Sequence, residues 1–367
     1  MVLGARFEFV LKNIWARLGA VYYLYMHAPW RPTKMASALE KLEQIQGTLA
    51  EIKERTPDVS ISRFVASVLD DSPGTEHAPS EWKIGDDDDA GAGHGRRRAE
   101  ELRCDDARPC APALKMDWAA CVLPLHGEDA HFGHAEAGVV GVADGVGGYR
   151  DRGVDAGAFA RALMANALAT AERVANAKAP KLLPRLCPMK VLERAYKNAA
   201  TSGTPGGSTA AILSLHGAAL RWAYIGDSAF AVFRGGEIIH RSVQQQRGFN
   251  EPYQLSARGC GGSLAEAKVG GMPAAEHGDV VVMATDGLFD NVHDWQLERA
   301  VRMGTELGFS PKNMADIVAG LAYAISNNSW ACSPFGIGYL KKYKEVWHGG
   351  KQDDITVIVA YLVSEDS

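Results

Sequence analysis

Eight carboxylates in this sequence lie beside glycines or at the ends of apolar runs. They are Glu128, Asp129, Asp144, Asp227, Asp286, Asp290, Asp353 and Asp354. Asp144 shows the pattern most clearly, since it follows the apolar run 137–143 and precedes a turn with Gly145, Gly147 and Gly148. Such a turn lets the backbone and the carboxylate approach an ion together. Any one of these acids is more often a turn residue, but their recurrence predicts one metal centre.

The donor atoms indicate which metal would bind. No His or Cys accompanies these carboxylates in a zinc-binding motif, and sites made only of oxygen favour Mg²⁺ or Mn²⁺. Two such ions about 3.5–4 Å apart can lower the pKa of a shared water and hold a phosphoryl group. The sequence contains no GxSxG, CxxxxxR or GxxxxGK[ST] motif. The residues therefore predict a metal-assisted hydrolase of phosphate esters and leave its substrate open.

The elements that position these carboxylates follow from apolar periodicity. Strands are predicted over 116–124, from 137, and over 210–215, 220–225, 229–234, 280–285 and 355–363. Helices are predicted over 156–179, 188–200, 295–304 and 311–326. Gly226-Asp227 and Gly235-Gly236 predict hairpins, and the aperiodic stretch 242–277 predicts an irregular flap. This mixture predicts an α+β fold with helices covering antiparallel sheets.

The first 112 residues differ in composition from the rest. Residues 1–69 contain two stretches with helical apolar spacing, and the first of them carries basic residues and a single acid. Such an N-terminal helical extension fits an organellar targeting segment, and it also fits a helix docked on the domain. Residues 70–112 join an acidic run, a glycine spacer and a basic run, which predicts a charged linker. The catalytic domain is therefore predicted to span 113–365.

Composition argues against several classes of protein. The chain has 367 residues, of which 47% are hydrophobic and 23% charged, as in globular proteins with a large core. A formal net charge of −5 gives no indication of nucleic-acid binding. No apolar run reaches the roughly 20 residues of a membrane-spanning helix, so no transmembrane segment is expected. Six scattered cysteines favour a reducing compartment.

Six motifs occur in the order found in the type-2C metal-dependent protein Ser/Thr phosphatases (protein phosphatase 2C). They are EDA at 128–130, VADGVGG at 142–148, GSTA at 207–210, IGDS at 225–228, ATDGLFDN at 284–291 and DDIT at 353–356. The sequence resembles this family over about 113–363, and DGVGG together with FNEPYQL at 249–255 resembles its organellar branch. The resemblance implies a β-sandwich of two antiparallel sheets flanked by α-helices, with two Mn²⁺ or Mg²⁺ ions at one end.

The resemblance also implies roles for the residues at the centre of these motifs. Asp144 matches the carboxylate that bridges both ions, and Gly145 matches the residue whose backbone carbonyl binds one of them. Asp286 and Asp353 match ligands of the other ion. The catalytic residues implied are therefore Asp144, Asp286 and Asp353.

Further acids match positions outside this central set. Glu128 and Asp129 correspond to residues that hold metal-bound waters. Asp227 and Asp290 correspond to ligands of a third, weaker ion. Asp354 is expected to support the ligands and not to bind an ion itself.

Two positions depart from the family pattern. Many members have a His that is proposed to protonate the leaving group where this chain has Val146, a difference shared with the organellar branch. Many also have a phosphate-binding Arg where this chain has Pro124. A metal-bound water or His126 then remains as the proton donor, and Arg150 or Arg247 as the phosphate-binding residue, unless either arginine is only surface charge.

The resemblance implies a protein Ser/Thr phosphatase that hydrolyses phosphoserine and phosphothreonine in phosphoproteins by attack of a water bridging two metals. The alternative is a catalytically silent protein that keeps the fold and binds phosphoproteins, which Val146 and Pro124 motivate. A monomer is expected, located in a mitochondrion or plastid, or otherwise in the cytoplasm.

Overall fold

The computed structural model describes residues 113–176, 186–257 and 262–364. The predicted N-terminal extension and charged linker lie outside the described residues. Within these ranges the chain forms two five-stranded antiparallel sheets stacked face to face, with helices on both outer faces. Among the described helices, none combines the length and the apolar character that a membrane span needs.

Each sheet draws strands from distant parts of the sequence. The first sheet consists, in spatial order, of β1 (Leu114–Leu123), β14 (Ile355–Ser364), β13 (Val280–Ala284), β7 (Ala229–Arg234) and β8 (Glu237–Arg241). The second consists of β12 (Lys268–Met272), β6 (Ala219–Ile225), β5 (Ala210–His216), β3 (Val139–Asp144) and β2 (Asp129–His134). Two further ribbons pair β4 (Gly207–Ser208) with β11 (Leu255–Ser256), and β9 (Gln246–Gly248) with β10 (Glu251–Pro252).

Helices cover the outer face of each sheet. The helices are α1 (Gly157–Ala175), α2 (Pro188–Thr201), α3 (Asp286–Phe289), α4 (Asp294–Glu306), α5 (Pro311–Ser326) and α6 (Pro334–Tyr343). The first two pack on the second sheet, while α5 packs on β1 and β14 of the first. The order is therefore helices, sheet, sheet, helices, which places a layer of core on both faces of every central strand.

The strand β13 shows why these runs are apolar throughout. Val281 and Met283 face the core between the sheets, whereas Val280, Val282 and Ala284 face the core beneath α4 and α5. Successive side chains of a strand point to opposite faces, so a strand covered on both faces needs apolar residues at every position. The continuous runs in the sequence are the result.

One of the two predicted hairpins is wrong. β6 belongs to the second sheet and β7 to the first, so the chain crosses between the sheets at Gly226-Asp227. Gly226 has a φ of 95°, and a Cβ there would lie 2.6 Å from Cγ2 of Thr209, so glycine is needed for the crossing. The hairpin at Gly235-Gly236 is present and joins β7 to β8.

The flap prediction is only partly correct, and one helix was not predicted. Residues 242–277 contain short strands and the edge strand β12, whose alternation is obscured by Gly270 and Gly271. The helix α6 contains Gly336 and Gly338, which disfavour helix. Its start is nevertheless marked by Ser333, whose hydroxyl accepts a hydrogen bond from the N–H of Gly336 at 3.1 Å.

Candidate metal centre

The carboxylates converge where the two sheets meet at one end of the sandwich. Asp129 begins β2 and lies opposite Asp144, the last residue of β3. Asp286 follows β13 through Thr285, and Asp353 precedes β14. The Thr285 hydroxyl donates to Oδ2 of Asp129 at 2.8 Å, which joins the second sheet to the first at this point. Antiparallel pairing thus brings the end of one strand and the start of another to the same edge.

The turn after β3 is fixed by the GSTA motif. The N–H of Asp144 donates to Oγ1 of Thr209 at 3.0 Å, and its carbonyl accepts from the N–H of Thr209 at 2.9 Å and from Oγ of Ser208 at 2.8 Å. At Gly145 a Cβ would lie 2.2 Å from the carbonyl oxygen of Ala156, so no other residue fits without movement. The position of the Asp144 carboxylate is therefore set by its backbone.

Several carboxylate oxygens at this end are closed off from solvent and have no hydrogen-bond partner among the described residues. They include Oδ1 of Asp129, Oδ1 of Asp227 and Oδ1 of Asp286. Buried acceptors are almost always paired, because an unpaired one retains its full desolvation cost. Anionic oxygens without partners are the kind of donor that Mg²⁺ or Mn²⁺ prefers, so the chemistry of the residues at this end of the sandwich fits a divalent cation.

Burial and mutual repulsion make this end electrostatically unfavourable. Burial, followed by the neighbouring carboxylates, raises the pKa of both Asp129 and Asp144 well above the ordinary value. The same two causes, burial first, raise the pKa of Asp227 to about 8. Burial also raises the pKa of Asp290 to about 7, although a nearby ammonium opposes it. The cluster carries more negative charge than its surroundings neutralise.

The cation within the cluster is Lys351, which was not predicted from the sequence. Its Nζ lies 2.5 Å from Oδ2 of Asp286, 2.7 Å from Oδ2 of Asp290 and 3.1 Å from Oδ2 of Asp353. Burial lowers the pKa of Lys351, but these carboxylates outweigh it and hold that pKa well above its ordinary value. Its place two residues before Asp353 was the only signal in the sequence.

The Lys351 ammonium lies among the carboxylates of the cluster. Its side chain is 14% exposed. Although burial acts in the opposite direction, Lys351 holds the pKa of Asp286 below the ordinary value. In the part of the chain that the structure describes, no three His, Cys, Asp or Glu side chains close around a single point as metal ligands do.

Asp354 has a different environment from its neighbour Asp353. Its carboxylate accepts hydrogen bonds from the backbone N–H groups of Leu125, of His126 at 2.6 Å and of Glu128 at 2.5 Å. Burial opposes ionisation, but these N–H groups hold the pKa of Asp354 below the ordinary value. Asp354 therefore holds the loop that carries Glu128, and both of its carboxylate oxygens already accept hydrogen bonds from that loop.

The two arginines considered for phosphate binding lie in different places. Nε of Arg150 lies 2.9 Å from Oε1 of Glu128, and the Arg150 side chain is 49% exposed. Arg247 instead lies over the ring of Tyr253, 4.9 Å from its centroid, with Glu266 3.7 Å away. The structure thus brings Arg150 to the carboxylates, and not Arg247.

Two more predicted residues lie at the edge of the cluster. Nδ1 of His126 is 3.9 Å from Oδ1 of Asp353, and the His126 side chain is 32% exposed. Oδ2 of Asp227 accepts a hydrogen bond from the Gln246 side chain at 2.8 Å. Through Gln246, the stretch predicted as a flap therefore contacts the cluster directly.

Two helix-covered antiparallel sheets with an excess of carboxylates at one end are what a metal-dependent hydrolase needs. The family model described as protein phosphatase 2C matches residues 125–321. The chain belongs to the protein phosphatase 2C family. It is a metal-dependent phosphoprotein phosphatase specific for Ser and Thr, and its substrates are phosphoproteins. The predicted fold and family are both confirmed.

Individual relatives support this assignment. The chain is 46% identical to protein phosphatase 2C 24 of Oryza sativa subsp. japonica over 89% of its length and 100% of that protein. It is 36% identical to the protein phosphatase PTC7 homolog of Danio rerio, over 65% of this chain and 82% of that one. Among solved structures it is similar to the photosystem II phosphatase PBCP, with 28% identity and a TM-score of 0.58, over 67% of this chain and 98% of that chain.

Proposed function

We propose that the carboxylate cluster holds two divalent ions, Mn²⁺ or Mg²⁺, and that the chain uses them to hydrolyse phosphoserine and phosphothreonine with water. Asp144 and the carbonyl of Gly145 would face one ion, while Asp286 and Asp353 would face the other together with Asp144. When bound, such ions make water a stronger nucleophile and neutralise the phosphoryl group. The observation that carries this proposal is the set of unpaired, closed-off oxygens, including Oδ1 of Asp286.

The remaining acids would surround this centre. Glu128 and Asp129 are the proposed acceptors of hydrogen bonds from water near the ions. Oδ1 of Asp129 has no hydrogen-bond partner among the described residues, whereas Oε1 of Glu128 pairs with Arg150. Asp227 and Asp290 are the proposed ligands of a third, weaker ion. Burial raises their pKa values to about 8 and about 7, and a bound cation would favour their ionised forms.

Two side chains would act on the substrate. Arg150 is half exposed beside Glu128, where its guanidinium can donate hydrogen bonds to the oxygens of the substrate phosphate, as Arg commonly does. His126 lies at the rim of the cluster and is the proposed proton donor to the departing Ser or Thr oxygen. Val146 and Pro124 then need not abolish activity, and no observation favours the catalytically silent alternative.

The decisive experiment is a phosphopeptide assay with purified protein in Mn²⁺ and in Mg²⁺. The wild type should release phosphate, and Asp144→Asn should lose most of this activity. Asp316→Asn is the matched control, because Asp316 pairs with Lys312 on α5 and contacts no residue of the cluster in the structure. A wild-type protein that is inert with both metals would contradict the proposal.

The proposal extends to the organisation of the whole chain. Residues 113–365 would form the phosphatase domain of a monomer, 70–112 a linker, and 1–69 a helical extension that directs the protein to a mitochondrion or plastid. Light scattering of the full chain tests whether it is a monomer, and the molar mass of a dimer would contradict the proposal. Fusing residues 1–112 to a fluorescent protein tests the location, and a diffuse cytosolic signal would contradict it.

A further inference from the structure

The helix α6 and the residues on either side of it form an exposed aromatic and basic surface. Of the 13 large hydrophobic side chains that are exposed within the described residues, six lie between 330 and 347. They are Trp330, Ile337, Leu340, Tyr343, Val346 and Trp347. Nearly half of the exposed apolar side chains are thus in 18 consecutive residues. A concentration of this kind marks an interaction site more often than a random surface.

The rings beneath this α6 surface hold it in place. Phe249, from the stretch predicted as a flap, packs on Phe335, Tyr339 and Tyr343, with ring centroids 4.9, 5.9 and 5.8 Å away. Trp347 packs on Phe335 at 5.1 Å and on Tyr339 at 5.3 Å. Tilted and edge-to-face contacts of this kind fix ring orientation. The surface is therefore preformed and needs little ordering when it binds a partner.

The α6 surface is continuous with the metal centre. The N–H of Phe335 donates to the backbone carbonyl of Asp290 at 3.0 Å. Nζ of Lys351 lies 5.4 Å from the centroid of the Phe335 ring. Phe335 therefore contacts the acidic cluster on one side and Trp347 on the other. A peptide whose phosphate lies at the cluster would reach the α6 surface within a few residues.

The charge of this surface is opposite to that of the cluster beside it. Lys341, Lys342 and Lys344 are exposed, and Glu345 is the only acid between 330 and 347. Basic side chains around apolar ones favour a partner with acidic and large apolar residues. With the phosphate at the metal centre and the acidic flanking residues at α6, the two surfaces together would favour one orientation of a bound chain.

We propose that the α6 surface binds the segment of a phosphoprotein that flanks its phosphorylated Ser or Thr, and that it selects acidic and large apolar side chains there. This inference rests on the proposed function. It places substrate selection on α6 as well as on the stretch 242–277, since Phe249 of that stretch is one of the rings that support α6.

The test compares the full chain with the double variant Leu340→Ser/Lys341→Glu. Both side chains are exposed, so the change should leave the fold intact. The control is Ile239→Ser/Lys197→Glu, which makes the same two kinds of change at exposed residues of β8 and α2, outside both α6 and the stretch 242–277. The substrates are a phosphoserine peptide flanked by Glu and Leu, and phenyl phosphate, which has no flanking residues. Fluorescence anisotropy of the labelled peptide reports binding without turnover.

We expect the α6 variant to lower kcat/KM for the peptide about tenfold through KM, with phenyl phosphate and the control variant unchanged. Equal losses on both substrates, or no loss, would contradict the inference. A gain in peptide turnover by the α6 variant would mean that another part of this chain covers the α6 surface. A change in the molar mass measured by light scattering would mean that a second copy of the chain covers it. Either result would overturn the inference. A wild type that binds the peptide through α6 but does not hydrolyse it would contradict only the proposed function.

Discussion

The strand β13 has a buried carboxylate at each end, Asp279 and Asp286, and the negative charges of the two are neutralised to different extents. Asp279 precedes the strand, and its side chain is fully buried. Arg234 meets it with two hydrogen bonds of 2.8 Å, from Nε and from Nη2, and the N–H of Glu276 adds a third of 2.8 Å. Nη1 of Arg234 also pairs with the exposed Glu276 at 2.6 Å, and both carboxylate oxygens of the buried Asp279 accept hydrogen bonds.

At the other end of β13, one cation serves several carboxylates. Lys351 is shared by Asp286, Asp290 and Asp353, while Oδ1 of Asp286 has no hydrogen-bond partner among the described residues. Burial of charge is therefore common to both ends and does not by itself mark a functional site. The excess of negative charge over nearby cations is what distinguishes the candidate metal centre.

The largest effect should come from Asp286→Asn. Removing this ligand should lower phosphopeptide hydrolysis by more than about a hundredfold, since even residues outside the ligand set change activity by up to that factor. The metal-free protein should keep its stability, because the substitution removes one charge from an overloaded cluster. Thermal unfolding in a chelator checks the second part. If the metal-free variant unfolds at a much lower temperature than the metal-free wild type, Asp286 has a structural role, like Asp279, and the account is contradicted.

Arg234→Met should have the opposite effects: it should lower stability and leave the metal centre unchanged. It leaves Asp279 buried without its cation, which should cost about 3 kcal/mol in the free energy of unfolding. Denaturant titration measures this cost. Mn²⁺ affinity of the folded variant should equal that of the wild type, because the strand separates the two ends. A loss of Mn²⁺ affinity without a loss of stability would contradict the distinction between them.

Lys351→Met should bind Mn²⁺ about tenfold more tightly than the wild type, because its ammonium no longer competes for the same carboxylates. The variant without metal should be less stable, since the carboxylates lose the one ammonium near them among the described residues. Calorimetry and thermal unfolding measure the two effects separately. Lys351→Arg, which keeps the charge, is the matched control. Weaker Mn²⁺ binding by the Met variant would show that Lys351 does not occupy the place of an ion.

A smaller effect should appear in the pH dependence of stability. The folded-state pKa values of Asp227 and Asp290, about 8 and about 7, lie above those of an unfolded chain. The folded protein therefore binds more protons than the unfolded one, and metal-free stability should fall as pH rises from about 4 to about 8. Scanning calorimetry in a chelator measures this slope, and saturating Mn²⁺ should remove it. A metal-free protein that gains stability over that range would contradict the account.

The residues of the site that could be predicted from the sequence are those whose pattern lies within one short stretch of chain. A run of apolar residues ending in Asp-Gly is visible in one stretch of chain, so Asp144 and Asp286 were found as members of one cluster. The contacts of Lys351 with three carboxylates join separate elements, and no local pattern encodes them. That Arg150 lies beside the cluster and Arg247 does not was likewise visible only in the tertiary structure. The individual roles of these residues remain predictions.

The errors in secondary structure have the same origin. Gly226-Asp227 between two strand-like runs is typical of a hairpin, but packing assigns β6 and β7 to different sheets. The helix α6 has a low helix propensity because of its glycines, and ring packing through Phe335 stabilises it instead. The long apolar runs were located to within a few residues because both of their faces are buried.

The most direct test of this account is calorimetric titration of Mn²⁺ into the metal-free protein, because it depends on neither substrate nor proton donor. We expect two ions to bind to each wild-type chain. Asp144→Asn should lose at least one of them and remain folded, because its turn is set by backbone contacts with Ser208 and Thr209. A wild-type chain that binds no Mn²⁺, or an Asp144→Asn chain that binds it like the wild type, would contradict the claim that this cluster is the metal centre.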